Sequence, residues 1–272
     1  MKTTLLIATY NWPEALKLVL ESVFRQTVLP DEIVIADDGS GPETKALIDA
    51  MRNRSPIPIT HVWHEDDGFR LTVIRNKAVA ASKGDYILQI DGDCILPTHY
   101  VEDHINMAKP GYYAGGKRIR IKEEWTKKTF ERGKLYLPYF GSLFQPKGIK
   151  KFARLHRIPF LMKPYSWLRS RSKRPHRGII GCSMDFWKED FIKVNGYDET
   201  FIGWGHEDAE LLARLYSSGL KKCVIHLGGF VYHLEHKSRA LDSEQFRKLE
   251  RHLQESIEKK RVWAENGVDK YL

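Results

Sequence analysis

The sequence predicts an α/β protein with a mostly parallel central sheet and helices on both of its faces. Short apolar runs alternate with amphipathic segments through the first 116 residues, in the order β-α-β-α-β-α-β. Polar clusters follow directly after three of the predicted strands. The carboxyl ends of parallel strands meet at one edge of a sheet, and ligands bind beyond that edge. We therefore expect the three clusters to face a single cleft.

Each element of this pattern has a local signal. The first strand, residues 3–9, is predicted from a short and continuous apolar run. The first helix begins at Pro13, because proline is favoured at the first helical position and the apolar residues that follow recur on one face. The next elements are a strand at 32–36, a helix at 43–52, a strand at 57–63, a helix at 72–82 that Gly84 ends, and a strand at 86–90.

The second half of the chain is predicted to complete the same fold. Its elements are a strand at 112–121, a helix at 207–217, a strand at 223–232 and a final amphipathic helix within 241–272. Asp242 or Ser243 would cap the last helix, and Asn266-Gly267 would stop it.

The segment 117–177 stands apart from this regular pattern. It contains five prolines, which exclude a long uninterrupted helix. We call 117–177 the basic insert and expect a single domain over 1–240, divided into 1–116, the basic insert and 178–240, followed by the C-terminal helix in 241–272.

The net charge of +9 is unevenly distributed along the sequence. The basic insert holds 19 lysines and arginines against three acidic residues, whereas the remainder holds 25 basic and 32 acidic residues. Clustered like charges repel one another in a folded chain, so the insert is expected to meet an anionic partner.

Composition also restricts where the protein works. No apolar run approaches the roughly 20 residues that a membrane-spanning helix needs, and the run at 5–8 is too short for a signal peptide. The three cysteines are sparse and lack metal-type spacing, which fits a reducing compartment. We expect a cytoplasmic protein.

An acidic triplet, Asp91-Gly92-Asp93, follows a strand that is predicted to be buried. Two carboxylates that are shielded from water repel each other, and a divalent cation relieves that repulsion. The alternative is an ordinary strand-end turn with a solvated acidic pair. The position after a buried strand favours a cation site.

The run Trp204-Gly205-His206-Glu207-Asp208 lies at the start of a predicted helix. Acidic residues there interact favourably with the helix dipole, so simple capping is one interpretation. Capping does not require the tryptophan, the histidine or the glycines before the acids. An aromatic wall beside a carboxylate is typical of a site that binds a sugar ring and accepts a hydroxyl proton.

Two histidines, His233 and His236, follow the predicted strand 223–232. A lone histidine is more often structural than ligating. Next to the acidic triplet, however, a histidine at a strand end could complete a site for Mn²⁺ or Mg²⁺.

Together these segments resemble the family 2 glycosyltransferases with a GT-A fold. The matching motifs are Thr9-Tyr10-Asn11-Trp12, Asp37-Asp38-Gly39-Ser40, Arg75-Asn76, Asp91-Gly92-Asp93 and Trp204-Gly205-His206-Glu207-Asp208. The run from His64 to Arg70 is similar to bacterial chondroitin-polymerase-type and related surface-polysaccharide transferases, and the segments 181–197, 204–208 and 231–233 are similar to β-galactosyltransferases. The basic insert and the last helix lie outside the resemblance.

The resemblance implies roles for individual residues. It makes 1–116 the half that binds the nucleotide-sugar and 178–240 the half that binds the acceptor. Uracil and ribose would be held by Thr9, Asn11, Asp38 and Arg75, with Asp37 supporting the turn. The other expected substrate contacts are Tyr10, Arg70, Asp91, Gly181 and Trp204.

The resemblance also implies a metal centre and a catalytic pair. Asp93 would be the principal ligand of Mn²⁺ or Mg²⁺ and His233 the second, with Asp91 and His236 in reserve. Asp208 would be the general base, and Glu207 would bind substrate hydroxyls. The implied reaction is an inverting transfer from a UDP-sugar to a lipid-linked, lipopolysaccharide or capsule glycan. UDP-galactose is the first expectation for the donor, before UDP-N-acetylhexosamine or UDP-glucose.

Three interpretations compete for the basic insert, whose cations alternate with aromatic residues. Such a composition suits an anionic membrane surface, single-stranded nucleic acid, or a solvated loop over the site. A transferase that builds surface glycans meets anionic lipid, so we expect a peripheral protein at the inner face of the cytoplasmic membrane, with no nucleic-acid partner.

The alternative function is a nucleic-acid-binding protein that uses the insert. A nucleotidyltransferase would need an early glycine-rich phosphate loop, and residues 8–12 supply none.

Overall fold

The computed structural model describes residues 1–137, 157–170, 175–236 and 243–272. The aromatic residues Tyr139, Phe140, Phe144 and Phe152 of the basic insert lie outside the described residues, as does Asp242. Within the described ranges, every helix is too short or too polar to cross a membrane.

Ten strands and nine helices are found in the described residues. The strands are β1 (Thr3–Thr9), β2 (Glu32–Asp37), β3 (Ile59–Trp63), β4 (Tyr86–Asp91), β5 (Cys94–Ile95), β6 (Tyr112–Gly115), β7 (Lys117–Arg120), β8 (Ser183–Trp187), β9 (Lys221–Val224) and β10 (Phe230–His233). The helices are α1 (Pro13–Val23), α2 (Pro42–Arg52), α3 (Leu71–Ala81), α4 (Tyr100–Met107), α5 (Glu123–Arg132), α6 (Pro159–Arg169), α7 (Lys188–Lys193), α8 (Glu207–Ser217) and α9 (Ser243–Glu258), followed by a 3₁₀ helix at Val268–Tyr271.

The main sheet has seven strands in the order β3-β2-β1-β4-β8-β6-β9. The first four of these pair in parallel, and β8 lies antiparallel between β4 and β6. The predicted α/β fold with a mostly parallel sheet is confirmed. Sequence analysis missed β8, although its side chains are almost entirely buried.

Both faces of the sheet are covered, which explains the continuous apolar strands. Along β1, Leu5 and Ile7 join the core against α1, whereas Leu6 and Ala8 join the core against α3 and α8. All four side chains are 6 % exposed or less. A strand buried on both sides reads as an apolar run rather than an alternation.

The prediction of two long strands at 112–121 and 223–232 is wrong, because each of these segments forms two shorter strands. β6 and β9 pair in parallel in the main sheet, while β7 and β10 pair in parallel in a second sheet of order β5-β10-β7. The break requires close backbone contact: a Cβ on Gly116 would lie 1.8 Å from the carbonyl oxygen of Gly229. The glycines at 116 and 229 therefore let two neighbouring strands leave the main sheet together.

The last helix, α9, ends earlier than predicted. Lys260 has a φ of +48°, and the Arg261 N–H donates to the Ser256 carbonyl at 2.9 Å, so a left-handed turn stops the helix before Asn266-Gly267. The predicted apolar face is present, since Leu249 and Leu253 are buried.

Within the basic insert, α5 and α6 are short helices of 10 and 11 residues. This agrees with the expectation that no long helix runs through the described part. Pro164 nevertheless lies inside α6, one turn after Pro159 at the helix start.

Candidate active site

The predicted polar clusters line one cleft of about 870 Å³ at the carboxyl edge of the main sheet. Its walls come from the ends of β1 and β4, from the loop before α8, and from β7 and β10 of the second sheet. The predicted site residues that line it are Thr9, Tyr10, Asn11, Asp38, Arg75, Asp91, Asp93, Gly181, Trp204, Glu207, Asp208, His233 and His236. Asp37 and Arg70, which were also predicted, are not among the residues that line the cleft.

Arg75, on α3, lies in the floor of the cleft with a side chain 1 % exposed. Its Nη1 donates to Asp208 Oδ1 at 2.9 Å and its Nη2 donates to Asp91 Oδ1 at 3.0 Å. Burial alone would lower the pKa of Arg75, but the surrounding acidic groups raise it overall, so the guanidinium stays charged. The expected contact of Arg75 with the nucleotide stays a prediction, since the structure commits both terminal nitrogens to carboxylates.

Asp208, the predicted general base, lies in the first turn of α8 and is partly exposed to the cleft. Its Oδ1 accepts hydrogen bonds from Arg75 and, at 2.9 Å, from the Tyr197 hydroxyl. Among the described residues, no donor contacts Oδ2. Burial raises the pKa of Asp208, although the Arg75 guanidinium opposes that shift.

Gly181 explains how the Asp208 carboxylate fits. A Cβ at position 181 would lie 1.7 Å from Asp208 Oδ2, so only glycine leaves room for the carboxylate. Gln89 donates to the Gly181 carbonyl at 3.1 Å and also contacts the Tyr197 hydroxyl, which ties the glycine and the carboxylate to the same buried network. Sequence analysis missed Gln89 and Tyr197, although Tyr197 lies in the segment that carried the galactosyltransferase resemblance.

Glu207 is buried and holds the backbone of the loop before α8. Its Oε2 accepts the Gly205 N–H at 2.9 Å. Burial, and then the charge of Asp208, raise the pKa of Glu207 to about 7. This arrangement supports the loop directly, and the expected contact with substrate hydroxyls stays a prediction.

The same loop is held from outside by α9. Trp204 is 54 % exposed and stacks on Phe246 with ring centroids 6.1 Å apart, while Gln245 donates to the Ile202 carbonyl at 2.7 Å. His206 adopts a left-handed φ of +69° and packs on the same phenylalanine. The aromatic wall predicted for the cleft therefore belongs to the loop before α8, and α9 packs against that loop.

Asp93 faces the two histidines on the opposite side of the cleft. Its Oδ2 lies 3.5 Å from His233 Nε2 and 3.3 Å from His236 Nε2. Burial, and then the charge of Asp91, raise the pKa of Asp93 to about 7. Burial, and then the charge of Arg118, lower the pKa of His233 to about 3.

These side chains are brought together by the second sheet. His233 on β10 pairs with Cys94 on β5, one residue after Asp93. Ligand atoms of Asp93, Cys94 and His233 lie within 4.8 Å of one another. Burial raises the pKa of the Cys94 thiol well above its ordinary value.

The acidic turn after β2 is stabilised by two histidines that sequence analysis did not assign. Asp37 Oδ2 lies 2.8 Å from His61 Nε2, and its Oδ1 accepts the Ser40 N–H at 2.9 Å. Asp38 Oδ1 lies 2.9 Å from His64 Nε2. The available signal was this pair of histidines, His61 within β3 and His64 directly after it, on the strand next to β2.

The loop after β3 and the start of α1 complete this wall. Asn11 Oδ1 accepts the Gly41 N–H at 2.9 Å, and the Tyr10 hydroxyl donates to Asp66 Oδ2 at 2.9 Å. Arg70 pairs with Asp67 outside the cleft, while its backbone N–H donates to Asp38 Oδ2 at 3.2 Å.

Comparison with known proteins identifies the family of this chain. The profile of glycosyl transferase family 2 matches residues 4–173, and a profile described as the N-terminal domain of galactosyltransferase matches residues 167–237. Validoxylamine A glucosyltransferase from Streptomyces hygroscopicus subsp. limoneus is 26 % identical over 238 residues, covering 81 % of this chain and 49 % of that protein. Chondroitin synthase from Pasteurella multocida (strain Pm70) is 25 % identical over 251 residues, covering 85 % of this chain and 24 % of that protein.

Solved structures share the fold. GalNAc-T7 with UDP, GalNAc and Mn²⁺ superposes with a TM-score of 0.63 at 17 % identity, covering 94 % of this chain and 48 % of the other. S. aureus TarS gives 0.61 at 15 % identity, covering 94 % and 39 %.

The fold and the sequence profiles define a GT-A glycosyltransferase. The chain belongs to glycosyl transferase family 2, whose profile matches more than half of it. It spans about half, or less, of the length of the two relatives named above.

Proposed function

We propose that this chain transfers a sugar from a UDP-sugar to a glycan hydroxyl with inversion, and that Asp208 is the general base. The observation that carries this proposal is the Asp208 carboxylate itself. One of its oxygens is fixed by Arg75 and Tyr197, while the other has no donor among the described residues. A carboxylate held in this way has a defined direction and a free oxygen for the proton of an attacking hydroxyl.

The raised pKa of Asp208 supports the same role. A base accepts a proton more readily when burial has weakened its preference for the charged form. The Arg75 guanidinium opposes that rise in the pKa of Asp208, because it favours the charged carboxylate. In the inverting reaction, the acceptor oxygen attacks the anomeric carbon, its proton goes to Asp208, and the nucleoside diphosphate leaves from the opposite face.

The residues around Asp93 fit a divalent cation. One carboxylate and two imidazole nitrogens converge at 3.3–3.5 Å, and the lowered pKa of His233 keeps that ring neutral with a lone pair available. Asp93, His233 and His236 would hold Mn²⁺, with Mg²⁺ as the alternative ion. When bound, such an ion supplies positive charge that stabilises a departing diphosphate. Asp91 is committed to Arg75, so it is the less available carboxylate of the triplet.

UDP-galactose is the donor we propose first. The support is the match of residues 167–237 to the galactosyltransferase domain profile. UDP-N-acetylhexosamine and UDP-glucose come next, since GalNAc-T7 is described with UDP and GalNAc and the Streptomyces relative is a glucosyltransferase.

The proposed acceptor is a lipid-linked, lipopolysaccharide or capsule glycan at the inner face of the cytoplasmic membrane. The support is the charge of the basic insert and the outer face of α6, where Phe160 is 78 % and Leu168 55 % exposed near Lys163 and Arg169. Exposed apolar residues beside cations suit an anionic headgroup layer.

Donor and metal binding are tested by the melting temperature of the protein. A ligand that binds only the folded state raises it. We expect UDP-sugars to raise the melting temperature in the presence of Mn²⁺ and to lose that effect in Asp93→Ala. The matched control is Asp49→Ala, which removes an exposed carboxylate on α2. If no UDP-sugar raises the melting temperature of the wild-type protein in the presence of Mn²⁺, the proposed donor class is refuted.

Membrane association is tested by flotation with liposomes. Wild-type protein should float with vesicles containing anionic lipid and remain behind with neutral vesicles or at high salt. The double variant Phe160→Ser/Leu168→Ser should float less. Flotation that is insensitive to lipid charge would remove the membrane proposal and leave the transferase proposal intact.

A further inference from the structure

Two arginines of the cleft wall have no hydrogen-bond or ion-pair partner within the part of the chain that the structure describes. Arg118 and Arg120 lie on β7, two residues apart, and both line the cleft. Among the described residues, no carboxylate or carbonyl accepts a hydrogen bond from either guanidinium. Arg75 in the same cleft is the opposite case, since each of its terminal nitrogens already has a carboxylate.

The break between β6 and β7 at Gly116 places these arginines in the second sheet, beside β10. In the second sheet, Arg120 pairs in register with His233 and Arg118 with Val231. Residues in register on neighbouring strands share a face, so the guanidinium groups and the His233 ring lie on the same side of the sheet.

Such an arrangement is unfavourable without a ligand. Two cations with no acidic partner lie beside a histidine and on the side of the cleft where we place a divalent cation. Like charges at close range raise the energy of the folded protein, and an anion between them relieves the repulsion. Arginine is also suited to this role, because its planar fork of N–H donors matches the oxygens of a phosphate group.

We propose that Arg118 and Arg120 form a phosphate-binding subsite on the wall of the cleft beside Asp93 and His233. This inference rests on the proposed function, because the cleft is taken to hold a nucleotide-sugar and an acceptor. The ligand is a phosphate or diphosphate group. It comes from one of two sources: the diphosphate of the donor, or a phosphate carried by the acceptor.

The test uses Arg118→Gln/Arg120→Gln in the full chain. Its matched control is Lys127→Gln/Lys128→Gln, which removes the same charge from exposed positions on α5. Circular dichroism and the melting temperature establish that both variants are folded. Arg120→Lys, which keeps the charge but loses the fork, is the conservative variant and should be intermediate.

The first arm measures UDP and uridine binding by calorimetry with Mn²⁺ present. If the donor diphosphate occupies the subsite, UDP affinity falls by about tenfold or more in the arginine variant while uridine affinity is unchanged. The second arm titrates inorganic phosphate into protein that is already saturated with Mn²⁺ and UDP. If the acceptor phosphate occupies the subsite, wild type binds phosphate in this arm and the arginine variant loses that binding.

A change in either arm that the lysine control does not show supports the subsite and identifies its source. If UDP binds wild type and the arginine variant equally, and phosphate binding is equal or missing in both, the subsite is refuted while the proposed donor class survives. If wild type binds no UDP at all, the proposed function fails, and phosphate binding alone decides the subsite.

Discussion

The two sides of the cleft are built in opposite ways. On the α3 and α8 side, Arg75 bridges Asp91 and Asp208 through hydrogen bonds of 2.9–3.0 Å, so the charges satisfy one another. On the β7 and β10 side, Asp93 lies 3.3–3.5 Å from its histidines, and Arg118 meets no acceptor among the described residues. On the first side the charged groups are paired within the protein, whereas on the second side they are placed to bind ligands.

The difference separates effects on stability from effects on binding. Removing one partner of a buried, satisfied network leaves an uncompensated charge, which destabilises the folded state. Removing a cation that has no partner costs the folded state little and acts on the ligand. Substitutions on the two sides should therefore have distinct signatures, and four measurements test this, beginning with the largest expected effect.

Asp208→Asn should lower the transfer rate by about 10³-fold, because the amide cannot accept the proton while it keeps the hydrogen bonds from Arg75 and Tyr197. The rate is measured with labelled donor and a working acceptor, and UDP binding should be unchanged. Asp49→Asn is the matched control. Near-normal turnover of Asp208→Asn would contradict the assignment of the base.

Arg75→Met should lower the free energy of unfolding by about 3–5 kcal/mol, because two carboxylates lose the cation between them. Urea denaturation measures this value. Arg120→Met on the open side should change it by less than about 1 kcal/mol. Equal losses in the two variants would break the distinction between the two sides.

Gly181→Ala should slow transfer by about 100-fold, because the new methyl group displaces the Asp208 carboxylate. Gly41→Ala is the control, since the nearest atom to its Cβ is 3.8 Å away. The two variants are compared by transfer rate at saturating donor. A fully active Gly181→Ala would show that the carboxylate position is not critical.

The smallest effect concerns pH. The pKa of Glu207 is raised to about 7 in the folded protein, from an ordinary value of 4.5. The folded state therefore holds a proton that the unfolded state releases, and this contribution to stability is lost as pH rises from about 4.5 through 7. Between pH 5 and 8, the free energy of unfolding should fall by about 2 kcal/mol more in wild type than in Glu207→Gln.

Urea denaturation across that pH range, with metal removed by a chelator, measures the difference. The same dependence on pH in both proteins would show that Glu207 does not titrate in this range.

The sequence was sufficient for the parallel sheet and for the edge at which its polar clusters meet. The order of strands and helices along the first 116 residues, and the position of the cleft, follow from local signals, namely apolar runs and the polar residues after them. Both glycine doublets, Gly115-Gly116 and Gly228-Gly229, lay inside predicted strands and were the available sign that these strands break.

Contacts between distant residues could not be predicted in the same way. Arg75 and Asp208 are 133 positions apart, and nothing in their neighbourhoods indicates that one cation bridges two carboxylates. Arg118 and Arg120 were hidden for another reason. The basic insert was interpreted as one unit, and nothing in its composition indicates that its first strand, β7, lines the cleft.

The contact between Gly116 and Gly229 has one more consequence. Two main chains touch there with no side chain between them, at the level where paired strands pass from one sheet to the other. The crossing between the two sheets, both of which contribute walls of the cleft, is therefore held by peptide groups that cannot repack as side chains do.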